Sequence, residues 1–560
     1  MFIKISKAKG YEYVLLVESY RDNGKPKHRI IANLGRKEIL EHSGLESVIS
    51  GLQRVLKKDK QPKENNKKDI TTLKEINRFN YGYLVYQKLW YLHRLPNLFK
   101  EICQTSKIQY DLEQVAFLII INQLLSPSSK LCLFSKQDHY FRSCEDIPLH
   151  IFYRALDKLA ESKEIIEEYL FEINRNLFNL EVDVIFYDVT TYHFESQHSD
   201  ELRDFGFSKA GKFNEVQIVM GLLIDKEGHP VGYELFSGNT SDSKTMVTIM
   251  KNLQKRFQID KLVIVADNGL NSKANLKYIK DSGFDYIVRS SIKKMKSSIQ
   301  EEVLNISGYI EISNIEDEEQ LKIKELPYNN TVTYEMDGKK KRIELQERLI
   351  CTWSSKRARK DQHDRQRAVD KAMKLIESNN RSALSPHGYK KYIQTPSSSA
   401  ANKEMSLDEA KLANETRFDG FAAIQCSDQN LSIQEIIENY HHLFKIEESF
   451  RIMKSTFETR PVFVWNKKRI EGHFVCCFLA FLLERRLESK LKNNGIAFSS
   501  RQIQEELNRT ELSEIEIEDE KYFMRGKSSA LSKKIFRILR IKQPKQIQDV
   551  ETIENYIGKI

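Results

Sequence analysis

The sequence predicts an α/β core, split by a β-rich insertion and flanked by an N-terminal β-hairpin and helical domains. Three observations predict it. Residues 182–236 hold three β-type runs in close succession: VDVIFYDVTTYHF, QIVMGLLID and Val231–Phe236. The last two are joined by the turn Glu227-Gly228-His229-Pro230. Lys261–Ala266 (KLVIVA) is a continuous apolar run, typical of a strand buried on both faces, and it has helical patterns on either side. Well downstream, Thr331–Trp353 reads as a hairpin turning at Asp337-Gly338.

A chain of 560 residues is too long for one core, so three or four domains are expected. A hydrophobic content of 40% and a charged content of 30% exclude a disordered chain. The formal net charge of +10 favours a polyanionic partner. Seven scattered cysteines without a CxxC pair speak against a zinc site and fit a reducing compartment. MFIKISKAKG has no apolar signal region. The longest apolar runs, Val115–Ile121 and Phe474–Leu483, fall short of the roughly 18 residues a membrane span needs. A cytoplasmic protein without a membrane partner is expected.

In order, residues 1–56 form an N-terminal β-hairpin region. Two β-type runs within 11–34 flank a turn carrying Arg21, Lys25, Lys27, His28 and Arg29, either a solvated tip or one that rests on DNA backbone. Residues 57–69, which include KKDKQPKENNKKD, read as a linker. Residues 70–180 are helical, with apolar residues three and four apart (Ile151, Ala155, Leu159), and a DNA-binding role is open to them. Residues 181–291 are the first part of the core. After its three strands come a helix capped by Ser241 or Asp242, the KLVIVA strand, a helix over Ser272–Asp281 and a short strand at Tyr286–Val288. This β-β-β-α-β-α-β order is that of the ribonuclease-H-like fold. Residues 292–416 are the β-rich insertion, with a very basic helix, SSKRARKDQHDRQRAVDKAMKLI. The core resumes over 417–490 with FAAIQC and a helix beginning near Ser432. A helical tail spans 491–560 and carries a basic stretch at Lys533–Lys545.

Asp188 interrupts the first strand and Asp267 ends the fourth. Taken alone, Asp267 fits a turn acid equally well, and Asp188 fits a strand-end turn acid less well than a site residue. Carboxylates on neighbouring central strands repel each other unless a cation lies between them. Oxygen-only ligands select Mg²⁺ or Mn²⁺ over zinc. Two such ions roughly 3.5–4 Å apart can drive an in-line phosphoryl displacement. Tyr440–Pro461 (YHHLFKIEESFRIMKSTFETRP), read as one helix, puts Tyr440, Glu447, Arg451 and Lys454 on one face. By itself that face also suits an ordinary surface helix with ion pairs. His193, Glu195 and His198 follow no ligand spacing and read as loop polar residues.

Taken together, YDVTTYHFES around Asp188, VADNGL around Asp267, and Tyr440, Glu447 and Lys454 at their mutual spacing resemble the DDE transposases of bacterial insertion sequences. The subgroup is the one with a Tyr-x2-Arg-x3-Glu-x6-Lys motif and a β-rich insertion in its core. LRDFGFSKAGK, YELFSGNTSD, Arg460-Pro461 and HFVCCFLAFLL add to the likeness. It covers residues 180–290 and 415–485 well, and the N-terminal hairpin and INQLLSPSSK weakly. One position departs: Leu443 stands where the motif has arginine. The resemblance implies that Asp188, Asp267 and Glu447 hold Mg²⁺, with Mn²⁺ able to substitute. It implies cleavage at transposon ends and joining of the freed 3′-OH to target DNA. The partner is then double-stranded DNA, terminal inverted repeats and target alike, met by a homodimer or larger assembly. Tyr440, Arg451, Lys454, Lys209, Lys212 and Trp353 are the candidate DNA contacts. Trp353 is open between a base-stacking role and a core role, and Lys209 and Lys212 between phosphate contact and a solvated loop. Thr190 shares a strand face with Asp188. A ribonuclease-H-like nuclease that cleaves without joining, and an inactive DNA-binding descendant, remain as alternatives.

Overall fold

The computed structural model describes residues 2–8, 10–22, 25–39, 74–142, 146–178, 183–206, 214–257, 261–313, 320–336, 339–378, 388–394, 405–517 and 520–557. The expected linker 57–69, the turn pair Asp337-Gly338, and Lys209 and Lys212 lie outside them. The chain divides into two compact units. One is Met1–Leu92 with Leu131–Pro148 and Lys490–Ile560, and the other is His93–Lys130 with Leu149–Ser489.

The first unit opens with an antiparallel meander, β1 (Phe2–Ala8), β2 (Tyr11–Asp22) and β3 (Lys25–Arg36). The expected hairpin is β2–β3, and β1 adds a third strand beside β2, with Phe2 opposite Val17 and Ala8 opposite Tyr11. Two irregularities in the β2–β3 register, at Val14/Leu15 and Leu16/Val17, explain why adjacent Val14 and Leu15 are both buried. The predicted helical region begins instead with a strand, β4 (Lys74–Asn80). Helices follow it, Leu84–Leu92 in this unit and Leu95–Gln104, Leu112–Leu125, Leu149–Glu161 and Lys163–Phe178 in the second.

The second unit is built on one sheet. Its strands are β5 (Val184–His193), β6 (Gln217–Asp225), β7 (Pro230–Ser237), β8 (Val263–Ala266), β9 (Asp285–Ser290), β10 (Ile310–Ser313), β11 (Gln320–Met336), β12 (Lys339–Ser354) and β15 (Phe421–Cys426). A separate two-residue pair, β13 (Ile393–Gln394) and β14 (Ser406–Leu407), lies between β12 and β15 in the chain. The spatial order is β10-β11-β12-β15-β9-β8-β5-β6-β7. β5, β8 and β9 run parallel and the other neighbours antiparallel. The half from β7 to β9 is the predicted ribonuclease-H-like core. The insertion does not fold as a body of its own. β15 covers the open edge of β9, β12 pairs with β15, and the long β11–β12 hairpin carries the sheet outward.

Alternation along β5 gives each face of the sheet its partner. Ile185, Tyr187 and Val189 pack with Met246, Ile249 and Leu253 of the helix Asp242–Phe257, and with Leu276 and Ile279 of the helix Lys273–Asp281. Across the sheet, Phe186 meets His442 edge-on, Tyr192 meets Phe474, and Tyr233 meets Phe478. The helix Lys467–Lys492 is buried on every side from Phe474 to Leu483, as a helix apolar all round must be. Gly472 lets it approach Leu149–Glu161, because a Cβ there would sit 2.0 Å from the Leu156 carbonyl oxygen.

The tail returns to the first unit and is not purely helical. β16 (Glu511–Ile517), β17 (Glu520–Arg525) and β18 (Ile547–Asp549) join β4 in a sheet ordered β18-β17-β16-β4. Helices cover Ser500–Asn508, Ala530–Ile538 and Val550–Ile557. In ELSEIEI the buried Leu512, Ile515 and Ile517 carry the strand pattern. A bulge at Glu514/Ile515 breaks its alternation, and glutamate's helical preference masks the rest. Among the described residues, no helix is long and apolar enough to cross a membrane.

Candidate active site

Asp188 lies on the face of β5 shared by Phe186, Thr190 and Tyr192. It is half-buried, and its Oδ1 accepts the Val189 N–H at 2.8 Å. β5 and β8 are parallel, with Tyr187 opposite Ala266 as the last register pair. Asp188 and Asp267 are the next residue on each strand, and adjacent strands run about 4.8 Å apart. β8 ends at Ala266, so Asp267 leaves the sheet exposed and opens the single turn Asn268–Leu270.

The third acid arrives on a segment that begins with a full capping box. The Ser432 hydroxyl accepts the Glu435 N–H, and the Glu435 carboxylate accepts the Ser432 N–H. The single helix expected over Tyr440–Pro461 is three pieces: Ile433–His441, Phe444–Arg451, and a turn of π-helix over Ile452–Thr456. At the first joint, the N–H groups of Leu443, Lys445 and Ile446 reach back three residues rather than four. No proline or glycine marks either joint, so nothing local in the sequence announces them. Phe444–Arg451 packs on β5 and β6, burying Ile446, Ser449 and Phe450 and leaving Glu447 exposed.

Tyr440 and Lys454 bracket Glu447. The Tyr440 hydroxyl is directed at Asp267. Burial, and then that carboxylate's charge, push the phenol up to about 12, while Arg289 and Arg357 pull the other way. The Lys454 ammonium donates to Thr190 Oγ1 and lies 5.3 Å from the centre of the Tyr192 ring. Two clefts flank the Asp267 turn, with Gly269 on both rims. One, of about 760 Å³, is lined by Asp267, Arg289, Lys293, Arg357, Arg365 and Lys391. The other, of about 590 Å³, is lined by Thr190, Gln217, Asn239, Asp242, Lys454 and Arg460.

Other sequence candidates fall elsewhere. Arg451 is exposed and pairs with Glu448 at 3.7 Å. Trp353 is anchored: its Nε1–H donates to the Asp419 carbonyl at 3.2 Å, and it packs so closely on Gly420 that a Cβ there would lie 2.8 Å from Nε1. Leu443 is buried, only 8% exposed. Lys445 is tied to the Lys226 carbonyl, in the β6–β7 turn. His193 is buried and lines the second cleft, whereas Glu195 and His198 are exposed. Among the described residues, the tightest metal-ligand grouping is another one. Asp225, Glu227 and His229 have ligand atoms within 4.8 Å of one another. There Asp225 Oδ1 accepts the N–H groups of Glu227 and His229, closing the β6–β7 turn.

Nothing in the sequence signalled what lies behind Asp267. The buried Glu347 of β12 accepts from Tyr286 and Asn330 through Oε1 and from Gln425 through Oε2. Gln425 in turn accepts from Asn271, which also donates to the Arg289 carbonyl. These polar residues come from five separate segments, so no local pattern joins them. Arg289, at the end of β9, was likewise absent from the candidates. Its only signal is its place at a strand end beside the acids.

As donors, Asp188, Asp267 and Glu447 are oxygen-only and open to solvent or half-buried, which suits a hard, partly hydrated divalent cation. The fold is that of a ribonuclease-H-like α/β core, with Asp188 within β5 and Asp267 just past the end of the neighbouring β8. Residues 181–483, more than half of the chain, match the family model described as a transposase DDE domain. Residues 3–67 match the N-terminal domain of IS1634 family transposases. The chain belongs to the DDE transposase family, whose catalytic domain implies use of a divalent metal. No curated protein sequence matches it. Among solved structures, it is similar to the piggyBac transposase synaptic complex with hairpin DNA, at 10% identity and a TM-score of 0.35, covering 86% of this chain and 85% of that one. It is also similar to the Mos1 transposase paired-end complex with left transposon end, at 10% identity and a TM-score of 0.15, covering 45% and 70%.

Proposed function

We propose that this transposase cleaves DNA at the ends of its element and joins the freed 3′-OH to target DNA, with Asp188, Asp267 and Glu447 as its metal-holding acids. The observation that supports the proposal is that the last β5–β8 register pair, Tyr187 with Ala266, is followed in each segment by an acid, and that the helix bearing Glu447 packs on β5. A bound Mg²⁺, or Mn²⁺ in its place, supplies Lewis acidity and an activated oxygen nucleophile. The chain's own residues orient the reactants. Tyr440 steadies the Asp267 carboxylate. Lys454, beside Thr190, offers positive charge to a phosphate, and Arg289 and Arg357 do the same across the Asp267 turn. The partner is double-stranded DNA, both terminal inverted repeats and target, held by a homodimer or larger assembly.

The test is end cleavage and strand transfer on DNA carrying the element's termini, with Mg²⁺ or Mn²⁺. The native chain should nick and join, and Asp188→Ala, Asp267→Ala and Glu447→Ala should each abolish both while DNA binding persists. Nicking without joining would make the protein a nuclease. Binding without nicking would make it a DNA-binding descendant. Retained cutting in the Glu447 variant would remove that residue from the site.

A further inference from the structure

Beyond Lys454 the chain runs through an irregular segment whose exposed residues the proposed chemistry does not use. Val462 and Val464 are buried, whereas Phe463 is 53% and Trp465 57% exposed. This in-and-out alternation is that of an extended chain, which puts both rings on the same, solvent side. In an extended chain, residues two apart stand about 6.8 Å apart. That is about twice the 3.4 Å spacing of stacked bases, so one planar base fits between the rings. The Arg203 guanidinium lies over the Trp465 ring, 5.5 Å from its centre, and supports it from the 200–206 loop.

That loop borders the second cleft. Asp204 pairs with Gln217 through the backbone and accepts the Asn239 amide at 2.7 Å, and Gln217 and Asn239 both line the cleft with Lys454 and Arg460. Arg460 lies three residues before Phe463. The cations after Trp465 are already paired: Lys467 with Glu201, Lys468 with Glu161 and Arg469 with Asp157. A docking surface for protein would need a continuous apolar patch. Here two exposed rings adjoin a cleft that carries Lys454 and Arg460, which is the composition of a single-strand nucleic-acid platform.

We propose that Phe463 and Trp465 clamp one unpaired nucleobase of a DNA strand whose phosphates follow the cleft of Lys454 and Arg460. This rests on the DNA-cutting function proposed above, and its test uses binding without metal, so loss of catalysis cannot mimic its failure. Full-length chain in EDTA is titrated with a dT oligonucleotide and with a blunt duplex of equal length. Stacking of one base predicts that Phe463→Ala and Trp465→Ala each weaken oligo-dT binding by about 5- to 150-fold. Duplex binding should stay unchanged, and Trp465→Phe should recover most of the loss. Trp465 fluorescence should be quenched by oligo-dT, against the buried Trp90 and the half-buried Trp353.

Unchanged oligo-dT affinity in both alanine variants would overturn the clamp and leave the cutting function standing. An equal loss on single strand and duplex would make the rings part of a general surface and overturn it too, as would a loss confined to self-association. Failure of the native chain to bind either DNA would overturn the clamp and the DNA-cutting function together.

Discussion

Glu347 offers the sharpest test of how the insertion strands support the site. It is buried, only 4% exposed, and all three of its partners are donors: Tyr286, Asn330 and Gln425. Gln425 then accepts from Asn271, four residues beyond Asp267. Glu347→Ala strands three buried donors at about 1–3 kcal/mol each, so after relaxation a loss of roughly 3–5 kcal/mol is expected. Glu347→Gln sets one amide N–H group against that of Gln425 and should cost about 1–3 kcal/mol. Adding Gln425→Glu restores every match. The amide introduced on β12 then donates to the carboxylate introduced on β15, whose second oxygen still accepts from Asn271. The double variant should recover to within about 1 kcal/mol of native, with a coupling of about 1–3 kcal/mol in a double-mutant cycle read by urea unfolding. Metal-dependent nicking, assayed where all variants are folded, should fall in the single variant and return in the double one. Burial also holds the Glu347 carboxyl above its ordinary 4.5. The folded state therefore keeps a proton that the unfolded chain releases, and stability declines as pH rises from 4.5 through the raised value. Glu347→Gln removes that decline. A neutral single substitution, or a double variant no better than the sum of its parts, would refute the coupling.

Glu448, the neighbouring acid, pairs with Arg485 at 3.2 Å. Glu448→Ala should cost about 0.5–1 kcal/mol, since the carboxylate is partly exposed, and leave nicking intact while Glu447→Ala abolishes it, as measured by unfolding and end cleavage in parallel. Gly472→Ala drives a methyl into the Leu156 carbonyl and should lower stability by about 1–3 kcal/mol or more by thermal unfolding. Burial pulls His473 down to about 3, so the unfolded chain takes up a proton below 6.5 that the folded state refuses. Stability should therefore fall by about 4 kcal/mol from pH 7 to pH 3, and His473→Gln, which keeps an N–H donor, should flatten that acid limb. Leu443→Arg buries a guanidinium where leucine packs, and should destabilise by about 2–4 kcal/mol without raising DNA affinity in a filter-binding assay.

The parts of the fold legible in the sequence are those fixed by local pattern. KLVIVA needs only its own composition to declare a doubly buried strand, and the Ser432 cap declares a helix start. Asp188 and Asp267 were visible because a carboxylate within or just past a buried apolar strand conflicts with its surroundings. β4 was invisible because its partner, β16, lies at the far end of the chain, and KEINRFN alone favours nothing strongly. The tail strands were hidden by glutamates whose helical preference tertiary pairing overrides. Trp353 suited two roles on composition alone. Its bond to the Asp419 carbonyl depends on strand pairing between β12 and β15, which no local pattern reveals.

The broken helix bears on the proposal that Glu447, rather than its neighbour Glu448, is the third acid. His442 and Leu443 keep right-handed backbone angles, so the chain goes on winding in the same sense through the joint, and the spacing along it can be approximated as helical. Fourteen residues at about 1.5 Å each set Tyr440 and Lys454 roughly 21 Å apart along it. Their targets lie far closer together. Asp267 is one strand spacing from Asp188, and Thr190 is two residues from it, so the two targets are about 8 Å apart. The remaining distance is what two long side chains span when they reach toward each other. Glu447 is seven residues from each, midway along this span in sequence. Glu448, one residue on, is turned by about 100° and is spent on Arg485. A 3₁₀ step before Glu447 lengthens the rise on that side and a π turn after it shortens the rise on the other, so the two largely cancel over the whole span.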